Sequence, residues 1–154
     1  QVDTATLDGL LEFFRLFADR CHHGKEEDLL FPLLARKGLP QAGGPIEVML
    51  LEHTQGRALI RRMSEAAEAY GAGAGDASGR WAEAARDYAL LLRDHIAKEN
   101  NVLFRIAERL LSYTEQRELA AAFDKVEEEK LGAGTHERLH ALMDKLTAHI
   151  PSSV

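Results

Sequence analysis

The chain has 154 residues, of which 45% are apolar and 29% charged, and this length and composition suit one globular domain with one core. Its net charge of −6 gives no electrostatic support for nucleic-acid binding, and no apolar run is long enough to span a bilayer. The single cysteine, Cys21, excludes an internal disulfide, and no secretory signal segment is visible, so we expect a reducing, cytoplasmic location.

Helical spacing of apolar residues predicts an all-α chain whose helices are joined by short loops and pack antiparallel. Pro32 falls inside the first helix and is expected to kink it, because the apolar pattern continues beyond it. The predicted helices cover these ranges: Thr4 or Thr6 to about residue 36, Pro45 or Ile46 to Tyr70, Arg80 to Leu111, Thr114 to Lys130, and Thr135 to Ile150. We expect a single domain with its bundle core at about 4–112 and a helical extension at 114–150.

An internal repeat places the same short motif on the first and third helices. The segment "HHGKEEDLLF" at 22–31 aligns with "HIAKENNVLF" at 95–104, and both read H-x-x-x-E-x-x-x-x-F. In both, the histidine and the glutamate fall in the apolar row of the helix, one turn apart. The polar residues in apolar rows are His22 and Glu26, His95 and Glu99, and, on the second helix, His53. Three helices therefore direct histidine to one interior.

Glutamates in a bundle interior need compensation, since the idealised cost of burying one carboxylate is of order ~20 kcal/mol. A metal ion supplies it, because imidazole suits iron, zinc and copper, and inward glutamates and histidines of helix bundles hold pairs of metal ions. A surface pair four residues apart and a buried polar network without metal are the other readings. The predicted metal ligands are His22, Glu26, His53, His95 and Glu99.

The residues around this motif give weaker signals. His23 points roughly 100° away from His22, so we expect it beside the site or on the surface, with a ligand role as the alternative. Glu27 and Lys25 fit a solvated face, and Cys21 fits a small buried apolar position.

The segment "HERLH" at 136–140 spells H-E-x-x-H, the zinc-peptidase signature. That signature needs a mid-helix position and a strand to bind substrate, whereas this segment opens a helix and no strand is predicted. A zinc peptidase using His136, Glu137 and His140 is therefore a minor alternative to a capping and packing role. A third reading is that His136 or His140 reaches the bundle metal.

The segments "HHGKEEDLLFP", "LEHTQGRALIR" and "DHIAKENNVLF" together resemble the bacterial hemerythrin-like (HHE cation-binding) domains, over residues from about 12 to 112. The resemblance implies an antiparallel four-helix bundle around a non-haem di-iron centre. It implies that Glu26 and Glu99 bridge two irons, with His22, His53 and His95 as terminal ligands. It also implies a small ligand: O2, NO or peroxide.

The chain departs from the family pattern at two points. The usual first helix, with its further histidine ligand, has no counterpart at the N-terminus, and Arg57 stands where typical hemerythrins have a second histidine after His53. We therefore expect that an upstream helix is missing, or that His23, His136, His140 or water completes the ligand set. The C-terminal helix, or a second copy of the chain in a homodimer, would cover the groove left open.

Three functions from different classes follow. The leading hypothesis is a non-haem di-iron protein that binds or senses O2, NO or peroxide. A peroxide-degrading di-iron enzyme at the same site, with the peptidase far behind it, is the second. A purely structural bundle without metal is the third.

Overall fold

The computed structural model describes residues 3–132 and 134–147, and the regular structure in those ranges is entirely helical, which confirms the all-α prediction. The side chains of four residues in the last helix lie outside the described part: His136, His140, Leu146 and Thr147. α1 is one continuous helix at 4–36 that comprises Thr4–Phe13, Phe14–His23, Glu26–Leu30 and Phe31–Arg36. α2 is Pro45–Gly71, and α3 comprises Ala77–Lys98, Glu99–Leu103 and Phe104–Leu110. α4 is Tyr113–Leu131, and α5 is Thr135–Thr147.

Local chemistry sets several of the helix starts. The Asp3 side chain accepts a hydrogen bond from the amide of Ala5 at the start of α1, and Pro45 occupies the first turn of α2, where its missing N–H costs nothing. Ser112 and Glu115 form a capping box at the start of α4, each side chain accepting from the other residue's amide. α4 therefore starts with its own local signal.

Parts of α1 and α3 are π-helical, with hydrogen bonds from residue i to i+5 in place of i to i+4: Phe14–His23, Glu26–Leu30 and Glu99–Leu103. Pro32 follows the second of these segments directly, in the first turn of Phe31–Arg36. Proline has no amide N–H and disturbs the ordinary i to i+4 hydrogen bonds of an α-helix. The change to i to i+5 hydrogen bonds just before Pro32 therefore lets α1 continue past it.

The helices pack as an antiparallel bundle around one interior. Side-chain contacts join Glu52 of α2 to His95 of α3 near one end and Arg62 to Glu83 near the other, which makes these two neighbours antiparallel. α1 packs against α2, and α4 lies against α1 and the end of α3, where its Phe123 joins the core. α4 thus covers one side of α1, and α5 packs on the first turns of α1.

Two apolar clusters fill the two ends of the bundle, and the polar residues lie between them in each helix. One cluster comprises Leu30, Phe31, Leu34, Ile46, Met49, Leu103, Ala107 and Leu111. The other comprises Leu7, Leu11, Ile60, Met63, Ala67, Ala84 and Tyr88. A third, small cluster of Cys21, Leu131 and Leu139 joins α1 to α4 and α5, so the expected burial of Cys21 is confirmed. Within residues 3–132 and 134–147, no helix is both long and apolar enough to cross a membrane.

Candidate metal centre

The repeat found in the sequence has a structural counterpart. Its two copies place a π-helical segment at equivalent positions, Glu26–Leu30 in α1 and Glu99–Leu103 in α3, and each segment begins with the glutamate of the motif. π-helical turns are rare and are found frequently at functional sites. The two glutamates thus enter the interior from opposite helices in the same local setting.

Five polar side chains meet in the middle of the bundle, each between 1% and 4% exposed: His23, Glu26, His53, His95 and Glu99. His53 Nε2 lies 3.3 Å from Glu26 Oε2, and His95 Nε2 lies 2.9 Å from Glu99 Oε1. Two overlapping groups have ligand atoms that all lie within 4.8 Å of one another. One group is His23, His53 and His95; the other is Glu26, His53, His95 and Glu99.

Most of the nitrogen and oxygen atoms of these five side chains have no hydrogen-bond partner among the described residues. They are both ring nitrogens of His23, both carboxylate oxygens of Glu26, Nε2 of His53, Nε2 of His95 and Oε1 of Glu99. Buried polar atoms are nearly always paired, and leaving one unpaired costs about 1–3 kcal/mol. So many orphaned donor atoms of metal-ligating type at one point fit a bound metal ion.

The outward nitrogen of each interior histidine faces a further carboxylate. His53 Nδ1 lies 2.7 Å from Glu27 Oε1, and His95 Nδ1 lies 3.0 Å from Glu52 Oε2. His23 Nδ1 lies 3.5 Å from Asp19 Oδ1, close enough for electrostatic attraction but without a hydrogen bond. Metal-bound histidines commonly donate their second N–H to a carboxylate, which fixes the ring and leaves the other nitrogen free to ligate.

The two interior glutamates do not share their charge equally. Burial and the nearby Glu99 carboxylate raise the pKa of Glu26 to about 8. Burial alone would also raise the pKa of Glu99, but the close approach of the His22 and His95 imidazoles to its carboxylate holds that pKa well below the usual range. Without a cation, the pair therefore carries close to one negative charge at neutral pH. A bound cation would favour ionisation of both carboxylates.

Comparison with known proteins decides the family. The model of the hemerythrin HHE cation-binding domain matches residues 1–107. The chain belongs to the hemerythrin family. Its bundle is thus a metal-binding hemerythrin-like domain, as the resemblance implied.

A curated relative of this hemerythrin-like domain is the iron-sulfur cluster repair protein DnrN of Neisseria gonorrhoeae. It is 37% identical over 86 residues, which cover 54% of this chain and 54% of the relative. The hemerythrin-like chain therefore spans about half the length of that relative. No solved structure matches it significantly.

The hemerythrin-like bundle buries His23 and exposes His22, the reverse of the placement predicted from the apolar row. His22 is 47% exposed and its Nε2 lies 3.7 Å from Glu99 Oε1, at the rim of the cluster. The cause is the π-helical segment that ends at His23, because each π turn holds more residues than an α turn and the inward position slips along the chain. Glu26, His53, His95 and Glu99 lie in the interior, as the apolar rows predicted.

Two residues of the hemerythrin-like domain that were assigned to a solvated face are instead half-buried and paired with other helices. Glu27 contacts His53, and Lys25 bonds to Glu127 of α4 with its side chain only 14% exposed. The outer carboxylate Glu52 was missed as well, although it directly precedes His53. No sequence signal marked it, because Glu52 faces His95 of α3 rather than its own neighbour His53. The readings placed on the His136 and His140 side chains lie outside the described residues.

Because His23 is buried and His22 is exposed, we expect replacement of these two adjacent histidines to affect metal binding differently. His23→Ala is expected to weaken metal binding by at least 10–100-fold, on the order found when a group supporting a metal ligand is lost, whereas His22→Ala changes it only a few-fold. Iron retained per chain after dialysis against a graded chelator series would measure both. A larger loss in His22→Ala would instead mean that His22 turns inward when metal binds.

Proposed function

We propose that this hemerythrin-like domain holds two non-haem irons in its central cluster and binds O2, NO or peroxide there. The observation that carries the proposal is the convergence of unpartnered nitrogen and oxygen atoms from three helices. Five side chains offer more ligand atoms than the four of a closed tetrahedral zinc site, which favours a pair of ions. Iron in this setting would supply an open coordination position for the small ligand.

The residues around the irons have separable roles. His23, His53 and His95 would be terminal ligands, with His22 at the rim next to Glu99. Glu26 approaches a histidine of α2, and Glu99 approaches histidines of α1 and α3, so the two carboxylates would hold the irons together with these histidines and would supply the anionic charge. Apolar clusters on both sides of the central side chains limit the room at the site, which favours a small ligand over a large one.

The wider activity that we propose is support of iron–sulfur cluster repair. Its support is the name of the Neisseria relative and the 86-residue similarity to it. A peroxide-degrading activity at the same irons has no separate observation in its favour. Repair would be tested by adding the iron-loaded protein to a nitric-oxide-damaged iron–sulfur enzyme and measuring recovered activity, with metal-free protein as the control.

The metal content of protein purified without a metal-affinity tag tests the site itself. We expect about two irons per chain, as in other two-metal carboxylate bundles, together with near-UV absorption that a zinc protein lacks. Removing the metal with a chelator should lower the melting temperature, because an ion that binds the native state stabilises it. A protein with no metal, whose melting temperature is unchanged by chelator, would contradict the proposal.

A further inference from the structure

One arginine connects two of the outer carboxylates described above. Arg57 lies one turn after His53 on α2 and is 38% exposed. Its Nε donates to Asp19 Oδ1 at 2.7 Å, and its Nη2 donates to Glu27 Oε1 at 2.7 Å. These are the same oxygens that face His23 and His53. A single guanidinium thus contacts the outer support of both histidines.

The two histidines supported in this way are stacked on each other. Their ring centroids are 3.9 Å apart and their planes differ by 12°. Two cationic imidazoles at this distance would repel strongly, so the arrangement favours neutral rings, each with one N–H and one lone pair. With the N–H on Nδ1, facing the carboxylate, the Nε2 lone pair of each ring faces the interior.

The bridging position needs an arginine rather than any cation. The planar guanidinium offers N–H donors in a fixed fork, whereas a lysine ammonium is a point charge on a flexible stem. The third histidine shows the contrast within this protein. His95 has a single outer carboxylate, Glu52, and a lysine, Lys98, bonds to it.

We propose that Arg57 is a positioning residue of the metal centre. Its guanidinium holds Asp19 and Glu27 in the places where they orient His23 and His53 with Nε2 inward. It also neutralises these carboxylates, so that neither turns inward to compete with the histidines for metal. The inference rests on the proposed metal site and adds a residue that contacts no metal.

Metal affinity measured with Fe(II) against a competing chelator is the first test. Arg57→Gln is expected to weaken binding by about 10–100-fold, the usual effect of losing a group behind a metal ligand. Arg57→Lys should recover only part of the loss. The matched control is Arg62→Gln on the same helix, because Arg62 is 52% exposed and pairs with Glu83 and Asp87 at the surface, away from the histidines. It should bind iron like the wild type.

A double variant separates positioning from general stability. If Arg57 acts through Glu27, then adding Arg57→Gln to Glu27→Gln should weaken iron binding much less than it does in the wild type. Unchanged iron affinity in Arg57→Gln, even with a lower melting temperature of the metal-free protein, would overturn the proposal, because it would leave Arg57 a purely structural role. Fully additive losses in the double variant would overturn it as well.

Nitrogen-15 NMR of the histidine rings in metal-free protein gives a readout independent of iron. The wild type should show His53 with its proton on Nδ1, and Arg57→Gln should show a mixture of tautomers at that ring. An identical tautomer in both proteins would overturn the positioning role. If the wild type bound no iron at all, the proposed function would fail, and this spectrum would still decide the role of Arg57.

Discussion

Glu26→Gln is expected to make the metal-free protein more stable while it abolishes metal binding. The pKa of Glu26 is raised to about 8 from an ordinary value of 4.5, because the carboxylate is buried near that of Glu99. At pH 7 this shift corresponds to a destabilisation of up to about 3 kcal/mol. A neutral amide of the same shape avoids it, so the melting temperature without metal should rise by roughly 3–10 °C. The amide cannot supply the anionic oxygen that iron requires.

The raised pKa of Glu26 also predicts the direction in which the stability of the metal-free protein changes with pH. A group whose pKa is raised on folding contributes its full stability below its unfolded pKa and loses it as the pH rises through the folded pKa. The metal-free wild type should therefore lose stability between about pH 4.5 and pH 8, and Glu26→Gln should lose much less. Chemical denaturation at several pH values would measure this.

Glu99→Gln is the matched control, because the other interior glutamate has the opposite shift. The nearby imidazoles of His22 and His95 hold the pKa of Glu99 below its usual value, so its ionised form stabilises the fold above that usual value. Replacing it should lower the melting temperature of the metal-free protein and also impair metal binding. If both substitutions changed stability in the same direction, the unequal sharing of charge between the two glutamates would be wrong.

The sequence was sufficient for the parts of the site that depend on helical period alone. His53, His95, Glu26 and Glu99 fall in apolar rows, and an ordinary α-helix carries such rows into the interior, where the structure has these side chains. The repeat also marked the two segments that turn out to be π-helical. The role of these residues as metal ligands stays a prediction until metal is measured.

Two features of the site could not be predicted from the helical period of the apolar residues. His23 is buried in place of His22 because Phe14–His23 is wound as a π-helix. The change from i to i+4 to i to i+5 hydrogen bonds that produces this winding has no simple sequence signal. The outer carboxylates depend on which helices become neighbours. Glu27 lies on α1 and supports a histidine of α2, so its role appears only when the two helices pack. Local patterns therefore predict the inner residues better than the residues that orient them.

Removing α4 and α5 is expected to have the largest effect on the fold. A chain ending at Ser112 loses the α4 side chains Leu119 and Phe123 that pack on the core, and it uncovers Cys21 on α1. It also loses the bond from Lys25 to Glu127, beside the segment that carries Glu26. We expect the shortened chain to unfold without a cooperative transition and to retain no iron, as measured by calorimetry and metal analysis. A chain ending at Thr147 is the control.

Single substitutions test the same contacts without deleting a helix. Leu139 of α5 is fully buried, and Leu131 of α4 is 8% exposed. Leu139→Ala should destabilise the protein by about 2–5 kcal/mol, the usual cost of such a cavity, and Leu131→Ala somewhat less.

If the chain ending at Ser112 kept its iron and its melting temperature, α4 and α5 would be an appendage of a bundle complete without them. The family match ends at residue 107, before either helix, so the family alone gives no reason to expect their loss to matter. The reason is physical: α1 buries Cys21 against α4 and α5 on one side and directs His23 and Glu26 to the interior on the other, so that losing these helices exposes apolar surface on the helix that carries two residues of the cluster.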